Sequence, residues 1–191
     1  MYEPNVLILF SGGSDSVLLL HRSLEQKLNP FCVMIDYEQT HSMELKYGRA
    51  YLRKFCIPSQ TVSIHNLRIR SGLTTGETTV YDGVNEMYVP SRNMMFLSIA
   101  ASIAESKGIE TIWYGANYSD VELGFPDCHY RWVEQMNLLL NVNASVKIKL
   151  EAPLLDEMMR KNDVMNELNN RGVNMREIFS GYGEVPKNEF K

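Results

Sequence analysis

The segment Ser11-Gly12-Gly13-Ser14-Asp15-Ser16 constrains the fold of this chain more than any other. It follows the apolar run 6–10 and precedes the apolar run 17–20, an order that predicts a strand, a tight turn and a helix. Two adjacent glycines let the backbone turn sharply and approach a ligand, and the serines and aspartate suit the N-cap of the helix. Because a helix N-terminus carries free N–H groups and a positive dipole end, we expect residues 11–16 to bind phosphate.

This segment differs from the two best-known phosphate-binding loops. It lacks the Gly-Lys-Ser/Thr of a Walker A loop and the third glycine of the dinucleotide fingerprint. Its Ser-Gly-Gly-x-Asp-Ser pattern resembles the PP-loop of the N-type ATP pyrophosphatases. The resemblance implies that the loop holds the pyrophosphate of ATP while a substrate oxygen attacks the α-phosphorus. A simple strand-to-helix turn is the alternative, and the apolar runs on both sides of the glycines disfavour it.

The rest of the chain alternates strand and helix patterns, which predicts an α/β fold. We expect three α/β/α layers around a mostly parallel, Rossmann-like sheet of the adenine nucleotide alpha hydrolase-like kind. The 191 residues fit one domain, 1–191, with a divergent C-terminal extension at about 156–191. Gly108 and Gly172 stand where helix C-caps belong. The predicted strands are about 5–10, 31–36, 59–64, 110–115 and 145–150, and the predicted helices about 15–28, 40–55, 93–107, 129–142 and 161–170.

Composition excludes several classes of protein. A net charge of −4 argues against a general nucleic-acid binder, which usually has a basic excess. No apolar run approaches the ~20 residues that span a bilayer, and residues 1–5 lack the basic region of a signal peptide. The three cysteines form no Cys-x-x-Cys pair, so reduced thiols in the cytoplasm are the expectation.

Ligands of such folds bind beyond the carboxyl ends of the strands, where the segment 36–41 lies. Asp36 is placed to meet a ribose or a metal-bound phosphate. Gln39 and His41 carry groups that hydrogen-bond a polar ring or a carboxylate, although His41 alone fits a solvent-facing helix cap as well. The long irregular segment 65–90 suits a functional lid, and a surface insertion is an equal alternative for its first half.

Arg92 opens a nearly continuous apolar helix pattern after Tyr88-Val89-Pro90-Ser91. A cation opposes the positive end of a helix, and a bound phosphate between the two removes the conflict. We therefore interpret Arg92 as a phosphate or adenylate clamp, with an ion pair to a nearby acid as the alternative.

The segments 115–120 and 124–129 combine turn formers with polar groups that suit a planar heterocycle. Asp127 is the best candidate to accept two parallel N–H bonds from a guanine-like edge. Cys128 is a possible nucleophile, but no activating base is visible in the sequence, and a packed thiol is the favoured interpretation.

These segments together resemble the 7-cyano-7-deazaguanine (preQ0) synthase family of the PP-loop superfamily. The matches lie in 10–16, 36–45, 89–98, 115–117 and 125–137. The resemblance implies an ATP-dependent C–N ligase of queuosine biosynthesis: ATP adenylates 7-carboxy-7-deazaguanine, ammonia displaces AMP to give an amide, and a second activation gives the nitrile. It implies catalytic roles for Arg92 and Asp127. It further implies nucleotide contacts from Phe10, Ser11, Gly12, Gly13, Ser14, Asp15, Ser16, Asp36 and Gly115, and substrate contacts from Gln39, His41, Tyr88, Asn93, Asn117, Asp127 and Cys128.

The same resemblance implies Mg²⁺ with ATP, a homodimer, and small-molecule partners only, with no membrane or direct nucleic-acid partner. Family members usually carry a four-cysteine zinc cluster near the C-terminus, but this chain has no cysteine after Cys128. A structural zinc site needs four N or S ligands, so no zinc is expected. Lys161 suits either a phosphate contact or, as slightly favoured, a solvated helix charge.

The shortened tail keeps other functions open. One is a reaction that stops at 7-amido-7-deazaguanine, and another is a PP-loop nucleotide-binding module whose activity is lost. A third is a PP-loop ligase that activates another carboxylate or carbonyl; a tRNA target is disfavoured by the low positive charge.

Overall fold

A computed structural model describes residues 2–38, 42–67, 69, 71, 87–143 and 145–178. Five strands form one sheet in the order β3-β2-β1-β4-β5, and every neighbouring pair is parallel. The predicted parallel sheet is thereby confirmed. The strands are β1 (Val6–Leu9), β2 (Pro30–Asp36), β3 (Ser59–Ser63), β4 (Thr111–Trp113) and β5 (Lys149–Glu151).

Helices follow the strands along the chain, and the five predicted helices are all present. The helices are α1 (Ser14–Glu25), α2 (Ser42–Lys54), α3 (Arg92–Lys107), α4 (Tyr118–Glu122), α5 (Tyr130–Asn143), α6 (Pro153–Asp156) and α7 (Lys161–Asn170), with 3₁₀ turns at Pro126–Cys128 and Met175–Glu177. The sequence did not predict α4 and α6, because elements of one turn are too short to show helical periodicity. Gly108 caps α3 in the left-handed region at φ 68°, as predicted.

The helices cover both faces of the sheet, which confirms the three-layer arrangement. Successive strand residues point to opposite faces, so Leu7 lies in one core and Ile8 in the other. The first core packs α3 and α5 against the sheet, and the second packs α1, α2 and α7. Val164 and Leu168 of α7 are fully buried in the second core. The tail 179–191 lies outside the described residues.

The strand order creates a crevice at one edge of the sheet. The chain runs outward from β1 to β3 on one side and then places β4 on the other side of β1. The connections after β1 and β4 therefore diverge to opposite faces, and parallel α/β folds bind ligands at such a switch point. No helix in the described part of the chain has the length and apolar character that crossing a membrane requires.

Candidate active site

A cavity of about 260 Å³ opens at this switch point, beyond the carboxyl ends of β1, β2 and β4. It brings together the loop 11–16, the start of α3 and the segment after β4. Of the predicted site residues, those that line the cavity are Phe10, Ser11, Asp15, Ser16, Arg92, Asn93, Gly115 and Cys128. Lining residues that the sequence did not single out for a role include Tyr37, Phe96, Tyr114 and Asp120.

The loop 11–16 forms a helix start with unused backbone donors. Gly13 is the N-cap of α1 and no side chain caps the helix, so the expected serine or aspartate cap is wrong. The hydroxyls turn into the loop instead: Ser11 Oγ accepts the Gly13 N–H at 3.1 Å, and Ser16 Oγ accepts the Gly12 N–H at 3.2 Å. Within the described ranges no acceptor meets the backbone amides of Ser14, Asp15 and Ser16, the first three residues of α1.

Ser14 carries a second unused donor in the same loop, although this residue does not line the cavity. Its side chain is 1% exposed, and its hydroxyl has no hydrogen-bond partner among the described residues. A buried hydroxyl without a partner costs free energy, and a ligand oxygen would remove that cost. The first-turn amides and this hydroxyl therefore fit an anion such as a phosphate.

The two glycines near the loop do not do the same thing. Gly12 has φ +95°, and a Cβ there would lie 2.7 Å from the Glu44 carbonyl oxygen and 2.8 Å from Gly48 Cα. Its missing side chain therefore lets the loop approach α2, and the expectation that the glycine pair also lets the backbone approach a ligand stays a prediction. A Cβ on Gly115 would lie 3.7 Å from the Ser16 amide nitrogen, one of the unused donors of the loop.

Asp15 is held by two side chains from distant parts of the sequence. Lys161 Nζ lies 2.5 Å from Asp15 Oδ2, and Asn117 Nδ2 donates to Asp15 Oδ1 at 3.2 Å. The side chains of the ion pair are only 26% and 21% exposed. The interpretation of Lys161 as a solvated helix charge is therefore wrong, because α7 places its ammonium group at the loop.

Arg92 lies at the opposite end of the cavity, at the first residue of α3. Its Nη1 donates to the Tyr37 hydroxyl at 3.1 Å, and its guanidinium carbon is 5.9 Å from the ring centroids of both Tyr37 and Phe96. The preceding Ser91 adopts a left-handed conformation with φ 55°. No carboxylate forms an ion pair with Arg92 in the part of the chain that the structure describes, so the alternative of an acid partner finds no support there.

A buried polar network forms the wall beside Arg92. Asn93 Nδ2 donates to the Tyr114 hydroxyl at 2.7 Å, and that hydroxyl donates to the Asp127 carbonyl oxygen at 3.2 Å. Cys128 Sγ is 3.6 Å from the same hydroxyl. Burial raises the pKa of the Cys128 thiol far above neutrality, so the thiol stays protonated, which supports the packed interpretation over a nucleophile.

Asp127 lies behind this wall. Its side chain is 4% exposed and does not line the cavity. Burial raises the pKa of Asp127, while the charge of Arg92 and a hydrogen bond from the Asn93 side chain oppose the rise. The carboxylate therefore acts on Arg92 and Asn93 rather than standing open to a ligand.

Other predicted site residues also lie outside the cavity lining. Asp36 forms a 3.5 Å ion pair with Arg49, and the Tyr88 hydroxyl accepts the Ser91 N–H at 3.3 Å. Asn117 is buried and caps α4. Gln39, His41 and the segment 72–86 of the predicted lid lie outside the described residues.

Asp120 is a charged residue of the cavity for which the sequence analysis gave no role. It lines the cavity, and its carboxylate forms a reciprocal capping box with Asn117 at the start of α4. Burial, together with the nearby charge of Asp15, raises the pKa of Asp120 to about 6. The sequence carries a signal for this arrangement, since Asn117 and Asp120 have the spacing of a capping box just after a strand.

The cysteines give no sign of metal binding. Cys32, Cys56 and Cys128 are free, and no cluster of three or more His, Cys, Asp or Glu side chains within the described ranges is arranged to hold a metal. Because residues 179–191 are not described, the expected absence of zinc stays a prediction.

Comparison with known proteins identifies close relatives of the chain. The family model for "Queuosine biosynthesis protein QueC" matches residues 5–189. A 7-cyano-7-deazaguanine synthase from Caldicellulosiruptor bescii is 33% identical over 92% of this chain and 82% of the relative. A synthase of the same name from Psychromonas ingrahamii is 32% identical over 81% of this chain and 73% of the relative.

A solved structure supports the fold alone. The U34-tRNA thiolase NcsA from Methanococcus maripaludis, solved with its 4Fe-4S cluster, superposes with a TM-score of 0.55 at 14% identity. The superposition covers 97% of this chain and 61% of the thiolase chain. Its likeness is consistent with the Rossmann-like α/β sheet.

Proposed function

The chain belongs to the QueC family of queuosine biosynthesis proteins, and from this premise we propose how its cavity converts 7-carboxy-7-deazaguanine and ammonia to 7-cyano-7-deazaguanine with ATP. The protein is an ATP-dependent ligase of the 7-cyano-7-deazaguanine synthase kind. The assignment of roles rests on one structural observation. The N-terminus of α1, with its unused donors, and the polar residues around Arg92 line the same cavity.

The phosphates of ATP bind at the loop 11–16 in this proposal. The first-turn amides of α1 and the Ser14 hydroxyl supply donors, and the dipole of α1 favours negative charge there. Lys161 adds a cation at the same point, although Asp15 neutralises it before the nucleotide binds. ATP enters as its magnesium complex, since Mg²⁺ commonly binds through substrate phosphates with few protein ligands.

The chemistry needs alignment and charge stabilisation more than covalent help from the protein. A carboxylate oxygen is a poor leaving group and AMP is a good one, so adenylation lets ammonia replace oxygen at the carbon. The loop fixes the α-phosphorus, and the substrate carboxylate approaches it from the Arg92 end. Arg92 then faces the adenylate with a guanidinium that Tyr37 and Phe96 keep in place.

The deazaguanine ring binds at the Arg92 end in this proposal. Asn93 and Cys128 line that end, and Phe96 and Phe125 provide apolar walls for a flat heterocycle. Asp127 supports the ring-binding residues from behind by holding Asn93 and by its charge on Arg92.

We further propose a homodimer, which light scattering after size exclusion tests, and a cytoplasmic location, which the three free cysteines favour.

Incubation with ATP, ammonia and 7-carboxy-7-deazaguanine followed by mass spectrometry tests the function. We expect AMP and pyrophosphate to be released only when the deazaguanine acid is present, with the nitrile as product. An end product heavier by one water is the amide and supports the shorter reaction. ATP binding in calorimetry without any product supports a nucleotide-binding module instead. Lys149→Met is a control variant that should keep the wild-type activity, because Lys149 pairs with Glu151 on the surface and its side chain is 72% exposed.

A further inference from the structure

In the function proposed above, the reacting carbon comes close to Asp120. Asp120 lines the cavity between the phosphate-binding loop and the Arg92 end. The charges of Asp15 on the loop side and of Asp127 on the other side both act on its carboxylate. Since the substrate carboxyl group meets the α-phosphorus between these two ends, the bond-making steps take place next to Asp120.

The capping box of α4 orients this carboxylate and leaves part of it open. Asp120 Oδ2 accepts the Asn117 N–H at 3.2 Å, and Asn117 Oδ1 accepts the Asp120 N–H at 3.3 Å. The second carboxylate oxygen, Oδ1, has no hydrogen-bond partner among the residues that the structure describes. One oxygen is therefore anchored, and the other is available to a ligand.

The surroundings of Asp120 make it a proton acceptor near neutral pH. Burial raises its pKa to about 6, and the charges of Asp15 and Asp127 also favour the protonated form. The Asn117 amide and the Lys161 ammonium oppose the rise. General bases work best when their pKa lies close to the working pH.

Other titratable groups of the wall fit this role less well. Asp15 already accepts an ion pair from Lys161 and a hydrogen bond from Asn117. Burial raises the pKa of the Tyr114 hydroxyl well above its ordinary value, and Cys128 stays a thiol for the same reason.

We infer that Asp120 is the general base that takes the proton from nitrogen when the activated amide becomes the nitrile, an assignment that rests on the function proposed above. In the activated amide, one carbon carries an N–H group through a double bond and AMP through oxygen. The N–H bond breaks and its electron pair forms the third carbon–nitrogen bond. The C–O bond breaks, and AMP leaves with the electron pair of that C–O bond. The proton goes to Asp120, which releases it to water.

Asp120→Asn tests the inference because it removes the base and keeps the shape. The amide oxygen of the new side chain can still accept the Asn117 N–H, so α4 stays capped. Glu122→Gln is the matched control, since Glu122 lies in the same helix, outside the cavity lining, and pairs with Arg160 at 2.8 Å. Purified proteins receive ATP and 7-amido-7-deazaguanine, and nitrile formation is followed across pH. Pyrophosphate exchange with 7-carboxy-7-deazaguanine measures the first activation separately.

We expect Asp120→Asn to lower nitrile formation by about 10²–10⁴-fold, the usual range for a general base. Pyrophosphate exchange and the thermal midpoint should stay close to those of the wild type and of Glu122→Gln. A base works only when it is ionised, so the wild-type rate of nitrile formation should fall as pH drops through about 6. This acidic limb of the pH–rate profile should be absent in Asp120→Asn. Asp120→Glu keeps a carboxylate and should retain an acidic limb at a lower rate, which keeps the test valid if the asparagine variant folds poorly.

Two results would overturn the assignment and leave the proposed function intact. The first is an Asp120→Asn enzyme that makes nitrile at the wild-type rate with the wild-type acidic limb. The second is an equal loss of pyrophosphate exchange and nitrile formation, which indicates a positioning role. A wild-type protein that makes no nitrile under any condition would overturn the proposed function, and the base assignment with it.

Discussion

Two glycines beside the loop 11–16 should affect different properties, one the stability of the protein and the other the binding of ATP. Gly12 has a positive φ and no room for a Cβ beside the backbone of α2. Gly115 has ordinary van der Waals room, with its nearest atom, Asp15 Cβ, at 3.5 Å, but a Cβ there stands beside the Ser16 amide. The first position therefore constrains the fold, and the second constrains access to the anion site.

Alanine substitutions at the two glycines should therefore behave differently. We expect Gly12→Ala to lower the free energy of unfolding by about 2–4 kcal/mol, because a backbone clash adds to the strain of the left-handed conformation. Gly115→Ala should unfold like the wild type while its affinity for ATP falls about tenfold, roughly 1.4 kcal/mol. Denaturant unfolding and calorimetry with ATP measure the two effects.

Gly108→Ala provides the control for conformational strain. Gly108 has φ +68°, and no atom lies within 4 Å of the position of its Cβ, so only strain should appear, about 1 kcal/mol. If Gly12→Ala costs no more than Gly108→Ala, the close approach of the loop to α2 is not the reason for glycine at this position.

At the scale of elements, α7 is joined to α1 by a network of ion pairs. Arg22 contacts Glu167 at 2.6 Å and Glu157 at 2.8 Å, and Arg171 continues the network to Glu25 at 2.7 Å. The Arg22 side chain is only 14% exposed. This docking matters for the site, because α7 begins at the residue that reaches the phosphate loop.

Removing Arg22 should loosen α7 and change the acid stability of the protein. We expect Arg22→Met to lower the free energy of unfolding by about 2 kcal/mol, less than for a fully buried pair because Glu157 is exposed. Arg22 lowers the pKa of Glu167 below its ordinary 4.5. A lowered carboxyl pKa gives stability that is complete above the unfolded-state value and is lost as pH falls through the folded-state value. The variant should therefore lose less stability than the wild type below about pH 4.5.

Arg160→Met is the comparison for this prediction, since the Arg160 and Glu122 side chains are 55% and 47% exposed. Its effect on the free energy of unfolding should be much smaller than that of Arg22→Met, because solvent screens an exposed pair. Urea unfolding of the three proteins between pH 3 and 7 gives all these values. Equal losses for the two arginine variants would show that the Arg22 network does not hold α7.

The strands and long helices were predictable because each shows its own hydrophobic periodicity and is bounded by residues that commonly start or end such elements. The run 6–10 and the glycine pair after it predict β1 and the turn without any tertiary information. The position of Gly48 beside the loop was not predictable, and the sequence left Lys161 with two open interpretations, because both contacts join segments far apart in sequence. Phe125 and Cys128 of the segment predicted to bind the ring line the cavity. The burial of Asp127 depends on packing that a sequence pattern does not reveal.

At the scale of the whole molecule, the active site lies between two separate cores. The loop 11–16 leads into α1 on one face of the sheet, and Arg92 starts α3 on the other. The C-terminal part beyond Glu151 joins the second core through Leu154, Val164 and Leu168. The phosphate end of the site therefore depends on how the C-terminal segment is attached to the rest of the molecule.

Apolar packing and ion pairs, rather than a metal, are expected to make this attachment. A four-ligand zinc site contributes folding free energy directly, so chelation unfolds a part that depends on it. This chain has no cysteine after Cys128, and α7 docks through Leu168 and the network around Arg22.

We expect the purified protein to contain far less than one zinc per chain, and its thermal midpoint to stay unchanged after treatment with a strong chelator. Sodium chloride should lower the midpoint instead, because raising it from 0.1 to 1 M shortens the screening length from about 10 Å to about 3 Å and weakens the exposed pairs. Elemental analysis and thermal scans with and without chelator measure both effects; stoichiometric zinc with a chelator-dependent midpoint would contradict the expectation and indicate that another set of ligands holds the C-terminal segment.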